Sequence, residues 1–311
     1  MAEARDDDEI FVYMGGDQQV PDRVRRARIH KSVKRVPRGA FFNRHQLIYV
    51  EFHDDIEIIE KDAFYNCISL KGNIKLLGVR IVKKWAFQDC RGLTDVEFGD
   101  KLETIEWSAF YSCRALKKIK MPSVGTIGGY AFTHCHELSD VEFGEALETL
   151  QESAFHKCPK LKRIALPLKD DMIEDDVFFD CPKLTTVDVV GGIHNTVASL
   201  HMESWRSEMM DEINRINQVL PTITTTGDKT PAIQQWMESA FHRLDHHKWE
   251  HRRLWKEATT MLELALWKGN LADNEGVDVE TGGQRERQEL RVTSGASIVI
   301  NSVLPFLKVM E

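Results

Sequence analysis

Residues 90–113 read Cys-Arg-Gly-Leu-Thr-Asp-Val-Glu-Phe-Gly-Asp-Lys-Leu-Glu-Thr-Ile-Glu-Trp-Ser-Ala-Phe-Tyr-Ser-Cys. The apolar positions are Leu93, Val96, Phe98, Leu102, Ile105, Ala109 and Phe110, and polar residues fill most of the gaps. The same template returns along the chain with its cysteine at 67, 90, 113, 135, 158 and 181, in steps of 23, 23, 22, 23 and 23 residues. A fixed period in the low twenties marks a solenoid. No unit can bury its apolar face alone, and stacking joins the faces into one continuous core.

Each unit divides into three parts. Leu93, Val96 and Phe98 lead a short strand whose inner face holds Val96 and Phe98, with Asp95 and Glu97 facing out by the period of two. Glycine or proline then breaks the chain at Gly99, Pro122, Gly144 or Pro167. Leu102 to Ile105 form a second apolar anchor and a candidate second strand. Ala109, Phe110 and Cys113 follow at spacings that fit one helical turn on the convex side. One leucine-led strand per unit with a convex turn predicts an α/β solenoid, a leucine-rich-repeat stack of about eight parallel strands over residues 20–193.

The units at the ends depart from the template. Val33, Val36, Ala40, Phe41, Leu47, Val50 and Phe52 match it, with Arg44 in the cysteine position, and Val24, Ala27 and Ile29 supply one more strand before them. The unit after Cys67 carries one extra residue, which predicts a bulge that puts Ile74 and Leu76 in the core. Asp170 occupies an anchor position in the last unit. Atypical end repeats are expected where an open stack must cover its edges.

The run from Phe110 to Cys113, then Leu116, Ile119, Met121 and Pro122, resembles the repeat of BspA-type leucine-rich-repeat proteins, and the resemblance covers roughly 170 residues. Residues Arg287 to Glu311, including Gly295 to Leu307, are similar to tails found on some eukaryotic members. The resemblance implies a recognition or scaffold role and a eukaryotic member of the family.

The outward strand positions, taken rung by rung, are Arg26 and Arg28, Tyr49 and Glu51, Asn73 and Lys75, Asp95 and Glu97, Lys118 and Lys120, Asp140 and Glu142, Arg163 and Ala165, and Thr186 and Asp188. Charge changes sign at every step. Neighbours about 5 Å apart on adjacent parallel strands then attract in register and repel when slipped by one rung. These charged residues and Tyr49 are the candidate partner-binding surface. The ladder also absorbs part of the basic run Arg23, Arg25, Arg26, Arg28, Lys31, Lys34, Arg35 and Arg38, which read alone suggests a binder of acidic polymers.

Beyond the solenoid the period becomes helical. Met202, Trp205, Met209, Ile213, Ile216 and Leu220 form one apolar stripe. Thr230 as N-cap and Pro231 at the first helical position open a second helix expected to end at Gly269, with Trp236, Ala240 and Leu244 on its stripe. The domain reading is an acidic segment 1–19, the solenoid 20–193, a helical hairpin 194–269, a flexible linker 270–286 and an apolar tail 287–311. Inside the second helix His247, Glu250 and His251 match the His-x-x-Glu-His zinc-peptidase pattern, in which two histidines four apart share a metal and the glutamate acts as base. Those three residues define a zinc-dependent hydrolase alternative, but the 60 residues after His251 are fewer than that pattern needs to reach its third ligand.

The bulk composition fits a soluble protein: 311 residues, 42% apolar, 29% charged, a formal charge of −8 and a pI near 5.9. The acidic balance argues against general nucleic-acid binding. Asp6, Asp7, Asp8 and Glu9 without an apolar run predict no secretory signal, and no window reaches the roughly 18 apolar residues of a membrane span. The six cysteines all occupy the inward repeat position, which predicts free buried thiols and an intracellular, cytoplasmic protein. A non-enzymatic interaction scaffold with a protein partner and no cofactor is the expected function.

Overall fold

The computed structural model describes residues 10–190, 203–223 and 227–274. The chain runs through β1 (Phe11–Tyr13), β2 (Arg26–Ile29), β3 (Arg35–Val36), β4 (Tyr49–Glu51), β5 (Ile58–Ile59), β6 (Lys71–Leu76), β7 (Ile81–Val82) and β8 (Gly92–Phe98). It continues through β9 (Thr104–Ile105), β10 (Lys118–Met121), β11 (Thr126–Ile127), β12 (Asp140–Phe143), β13 (Thr149–Leu150), β14 (Arg163–Leu166) and β15 (Thr186–Val189), then helices α1 (Glu203–Val219) and α2 (Thr230–Asn274). Every paired strand is parallel to its neighbour. The strand face is made of a three-stranded sheet, β1-β2-β4, and a six-stranded sheet, β6-β8-β10-β12-β14-β15; a second face stacks β3, β5, β7, β9, β11 and β13.

The eight expected strands are present, and a ninth precedes them. β1 pairs with β2 in register Phe11 to Ala27 and Tyr13 to Ile29, inside the stretch read as an acidic N-terminal segment. Three residues are too few to show a repeat, so only Tyr13 betrays it, tilted onto Phe41 at 5.2 Å. The second strand of each unit, tentative in the sequence, is a two-residue element on every rung from β3 to β13. The extra residue after Cys67 produces a register shift between Gly72 and Asn73, with Gly72 at φ +85°, where a side chain would be strained.

Among the described residues the convex segment of each unit is not a helical turn. From Glu106 to Cys113 the backbone makes successive short turns, Ala109 N–H to Glu106, Tyr111 N–H to Ser108 and Cys113 N–H to Phe110. Ser108 and Ser112 lie at positive φ, 52° and 58°. The alternate amides of Ser108, Phe110 and Ser112 donate to the next rung, to Gly129, Ala131 and Thr133. Spacings of three and four residues suit this chain of turns as well as a helix, and the inter-rung bonds decide between them. The turn side is thus a third ladder.

The core is a column of rings. Phe41, Phe64, Phe87, Phe110, Phe132 and Phe155 stack with centroids 4.8, 5.0, 5.1, 5.3 and 5.3 Å apart and planes within 11°. Phe178 closes the column at 6.1 Å. Strand residues Phe98 and Phe143 meet it edge-on at 87° and 74°, the two arrangements a ring quadrupole favours. Leu93, Val96, Leu102, Ile105 and Ala109 are buried as their spacing predicts, whereas Val24, assigned to the core, is half-exposed.

Both ends of the strand face are closed by a side-chain amide. Gln18 accepts from Met14 N–H at 2.6 Å and donates to Val12 C=O at 3.3 Å, taking the place of a strand beside β1. Asn217 on α1 does the same for Val187 on β15, accepting at 2.7 Å and donating at 3.3 Å. On the turn side Phe178 N–H, which has no further rung to meet, donates to the Thr230 hydroxyl at 2.8 Å. Thr230 is therefore not the N-cap the sequence suggests. The first helical bond is accepted by Lys229 C=O from Ile233 N–H at 3.2 Å, and the Asp228 carboxylate accepts from Thr230 N–H at 2.9 Å. Lys229 is fully buried, donating from Nζ to Leu184 and Pro182 carbonyls at 2.6 and 3.2 Å, and burial holds its pKa below the usual lysine value.

The chain divides into two compact units, residues 1–192 with 207–240, and residues 193–206 with 241–311. In the first, Ile216, Leu220, Ile233, Trp236, Met237 and Ala240 of the helical stripes are buried. In the second, the helical backbone of α2 runs five residues past the expected end at Gly269, and Arg253 lies over Trp249 at 5.4 Å and 3.6 Å from Glu257. The linker and tail readings over 275–311 lie outside the described residues.

Truncating the ring column tests this account. Phe110→Ala should lower unfolding stability by about 3–5 kcal/mol, read as a urea midpoint shift. Phe42→Ala, whose exposed ring stacks on Tyr65 outside the core, should cost less than half of that.

Candidate functional site

The outward charges of the strand face fall into the register their spacing predicts. Lys118 pairs in register with Asp95 on one side and Asp140 on the other, and Lys120 with Glu97 and Glu142. Contacts follow: Arg28 to Glu51 at 2.7 Å, Lys75 to Glu97 at 3.4 Å and Lys120 to Glu142 at 3.0 Å. Arg163 bridges two rungs, reaching Asp140 at 3.1 Å and hydrogen-bonding Asp188. Burial opposes its charge, but the two carboxylates outweigh burial and raise the guanidinium pKa. The ladder is interrupted between β4 and β6, where the sheet divides. Tyr49 carries the Arg26 guanidinium 5.6 Å over its ring, and Ala165, though at an outward register position, is buried.

Three members of the basic run meet acids on the following rung. Besides Arg28, Arg35 meets Glu60 at 2.6 Å and Arg38 meets Asp62 at 3.5 Å. Glu60 also holds Lys83 at 2.9 Å. Burial by itself would raise the Glu60 carboxyl, and the bonds and charges of Lys83 and Arg35 more than offset it, leaving its pKa below 4.5. Arg44, in the cysteine position, reaches Val20 C=O at 2.8 Å and Asp22 at 3.0 Å, which lets a charge stand where later rungs keep a thiol.

The cysteines are free, fully buried and more than apolar filler. Each thiol reaches back to a phenylalanine carbonyl of the preceding rung: Cys67 to Phe41, Cys90 to Phe64 and Cys113 to Phe87 at 3.1–3.2 Å, and likewise to Cys181 on Phe155 at 3.1 Å. Burial pushes the Cys90, Cys113, Cys135 and Cys158 thiols up, away from the reactive thiolate. The one-rung spacing of Phe and Cys in the sequence held this signal.

A second surface feature escapes a reading confined to strands. On the corner before each Ala-Phe turn, Lys61 and Lys84 lie 4.5 Å over the Trp85 ring and Lys84 lies 5.7 Å from Trp107. Trp107 is tilted against Tyr130 with centroids 4.8 Å apart, and 40% of its surface is exposed. Tyr130 donates to Glu152 at 3.0 Å. A large aromatic at one of the two residues before the Ala-Phe pair in three consecutive units was the available signal.

For the hydrolase alternative, the side chains of His247, Glu250 and His251 lie outside the described residues. Among the described residues no group of three His, Cys, Asp or Glu is placed to hold a metal, and no helix is long and apolar enough to cross a membrane.

Stacked rungs with parallel strands and a leucine-led core define the class as a leucine-rich-repeat solenoid. The model for the BspA type leucine rich repeat region matches residues 23–124 and 80–204 in six copies, over half of the chain, and the protein belongs to that family. The solenoid is similar to a leucine rich cell surface protein of Faecalibacterium prausnitzii, at 26% identity and TM-score 0.47, with 57% of this chain and 49% of that one covered. It is also similar to the leucine rich repeat protein of T. pallidum, at 26% identity and TM-score 0.41 over 48% of this chain and 78% of that one. The chain spans about half the length of the F. prausnitzii protein. No curated protein matches it.

Two changes test the electrostatics. Glu97→Lys places three cations on adjacent rungs and should cost about 1 kcal/mol at low salt, less in 1 M NaCl, where screening acts within about 3 Å. Glu60→Gln should lower the urea midpoint at pH 7. Because the folded Glu60 pKa is depressed, its contribution is present above the ordinary value of 4.5 and lost as pH falls through the folded one, so the gap from the parent protein should close there.

Proposed function

We propose that the protein is a non-enzymatic recognition scaffold that engages a protein partner across the strand face from Arg26 to Asp188. The supporting observation is the in-register alternation of exposed charge over Lys75, Glu97, Lys120 and Glu142. A face that presents plus and minus at fixed steps of about 4.8 Å rewards a partner with the matching sequence of charges and rejects one displaced by a rung. Each charge already has a neighbour, so binding leaves no buried charge unpaired. The free thiols support a reducing, intracellular setting.

Inverting the pattern without losing the pairs provides the test. In Lys75→Glu/Glu97→Lys/Lys120→Glu/Glu142→Lys the four charges remain opposite in sign to one another from rung to rung, so the thermal midpoint should stay near that of the parent. Quantitative affinity capture should then lose the stoichiometric partner. Capture that is equal for the two proteins removes the strand face from the reading.

A further inference from the structure

The corner column preceding the Ala-Phe turns is not a random surface. Inter-rung hydrogen bonds join it: Asp62 N–H to Lys84, Trp85 N–H to Trp107, Ser108 N–H to Gly129, Tyr130 N–H to Glu152 and Ser153 N–H to Asp175. The amides of the corner are occupied too. Glu106 accepts from Lys84 N–H at 3.0 Å, Gln151 from Gly129 N–H at 3.1 Å and Glu174 from Glu152 N–H at 2.9 Å. What the corner offers a ligand is therefore side chains on a fixed backbone. Gly129 leaves room for the Trp107 indole, since a Cβ there would come within 2.7 Å of the ring.

Those side chains change character in one direction. At one repeat position Lys61 and Lys84 lead, Trp107 and Gly129 follow, and exposed Glu152 and Asp175 end the column; Trp85 and Tyr130 flank it from the next position, where Asp62 is held by Arg38 at 3.5 Å. The strand face alternates from rung to rung; this corner is sorted into a cationic, an aromatic and an anionic block. Sorting gains nothing for register, because like charges then lie next to one another.

We propose that this corner binds an extended, proline-containing peptide segment of a protein partner, acidic at one end and basic at the other. The charge order supplies the complementarity. Acidic residues lie against Lys61 and Lys84, proline rings stack on Trp107 and Tyr130, and Lys or Arg reaches Glu152 and Asp175. Five rung steps from Lys61 to Asp175 span about 24 Å, which a polyproline II segment of roughly eight to nine residues covers at about 3.1 Å each. Aromatic-lined surfaces receive such segments because they are already ordered before binding. Single-stranded nucleic acid shares the need for aromatics and lysines but meets repulsion at Glu152 and Asp175.

The inference rests on the recognition reading while naming a different surface and a partner chemistry. Its test uses the full chain and a fluorescein-labelled peptide, Asp-Glu-Asp-Pro-Pro-Pro-Lys-Arg-Lys, against an isomer of equal composition with the charges alternating, followed by anisotropy. The block peptide should bind about tenfold more tightly than its isomer. Trp107→Ala should weaken it about tenfold, Trp107→Phe about threefold or less, and Lys61→Glu/Lys84→Glu should abolish it, while Glu97→Lys on the strand face leaves it unchanged. Equal binding of the isomers, indifference to Trp107→Ala, or displacement of the peptide by a ten-residue oligothymidylate at lower concentration than by unlabelled peptide overturns the proposal. Failure here with capture still lost on ladder inversion removes only the corner; the reverse pattern removes only the strand face.

Discussion

One spacing governs this molecule. Parallel backbones joined by hydrogen bonds lie about 4.8 Å apart, and every other stack has to live with that distance. Phenyl rings accept it, at 4.8–5.3 Å over six rungs, because offset stacking is favourable in that range. The thiol accepts it as well: Cys113 reaches the Phe87 carbonyl of the previous rung at 3.2 Å, and the polarizable sulfur tolerates a bond longer than a hydroxyl would prefer. On the strand face charges accept it in alternating order. Where the backbones come closest, nothing beyond hydrogen fits, as at Gly99 and Gly144, where a Cβ would run into the carbonyl oxygens of Leu77 and Pro122.

This explains why so much of the solenoid was legible. A residue that must repeat every rung appears in the sequence as a period, and Leu93, Val96, Phe110 and Cys113 mark the inner wall by that period alone. The outward register followed from the same count, since a period of two has only one remaining face. The turn side was harder. Ala109, Phe110 and Cys113 satisfy helical spacing, and what separates a helix from consecutive turns is where the amides of Ser108 and Ser112 donate, which no spacing encodes. The left-handed residues vary in type, with Asp89, Ser112, His134 and Lys157 at equivalent positions, so no glycine signals them.

The ends and the candidate sites were less legible because they occur once. Gln18, Asn217 and Thr230 are common polar residues, and their roles depend on the edge atoms they happen to meet. The corner column was visible letter by letter in Lys84, Trp107 and Tyr130, but its order emerges only when residues from separate units are placed side by side. The ladder shows the converse limit. Its geometry could be derived from the sequence to the level of named pairs, and yet pairing alone is a sufficient structural reason for it.

The closing amides have a further implication for how such a chain changes over generations. Gln18 and Asn217 serve the first and last strands of the strand face and depend on nothing between them, while each inner rung presents its successor with the same acceptors and the same ring. Whole units can therefore be duplicated or lost in the middle with the terminators kept. Reach along the axis is free to drift, whereas an ending, once lost, has to be invented anew.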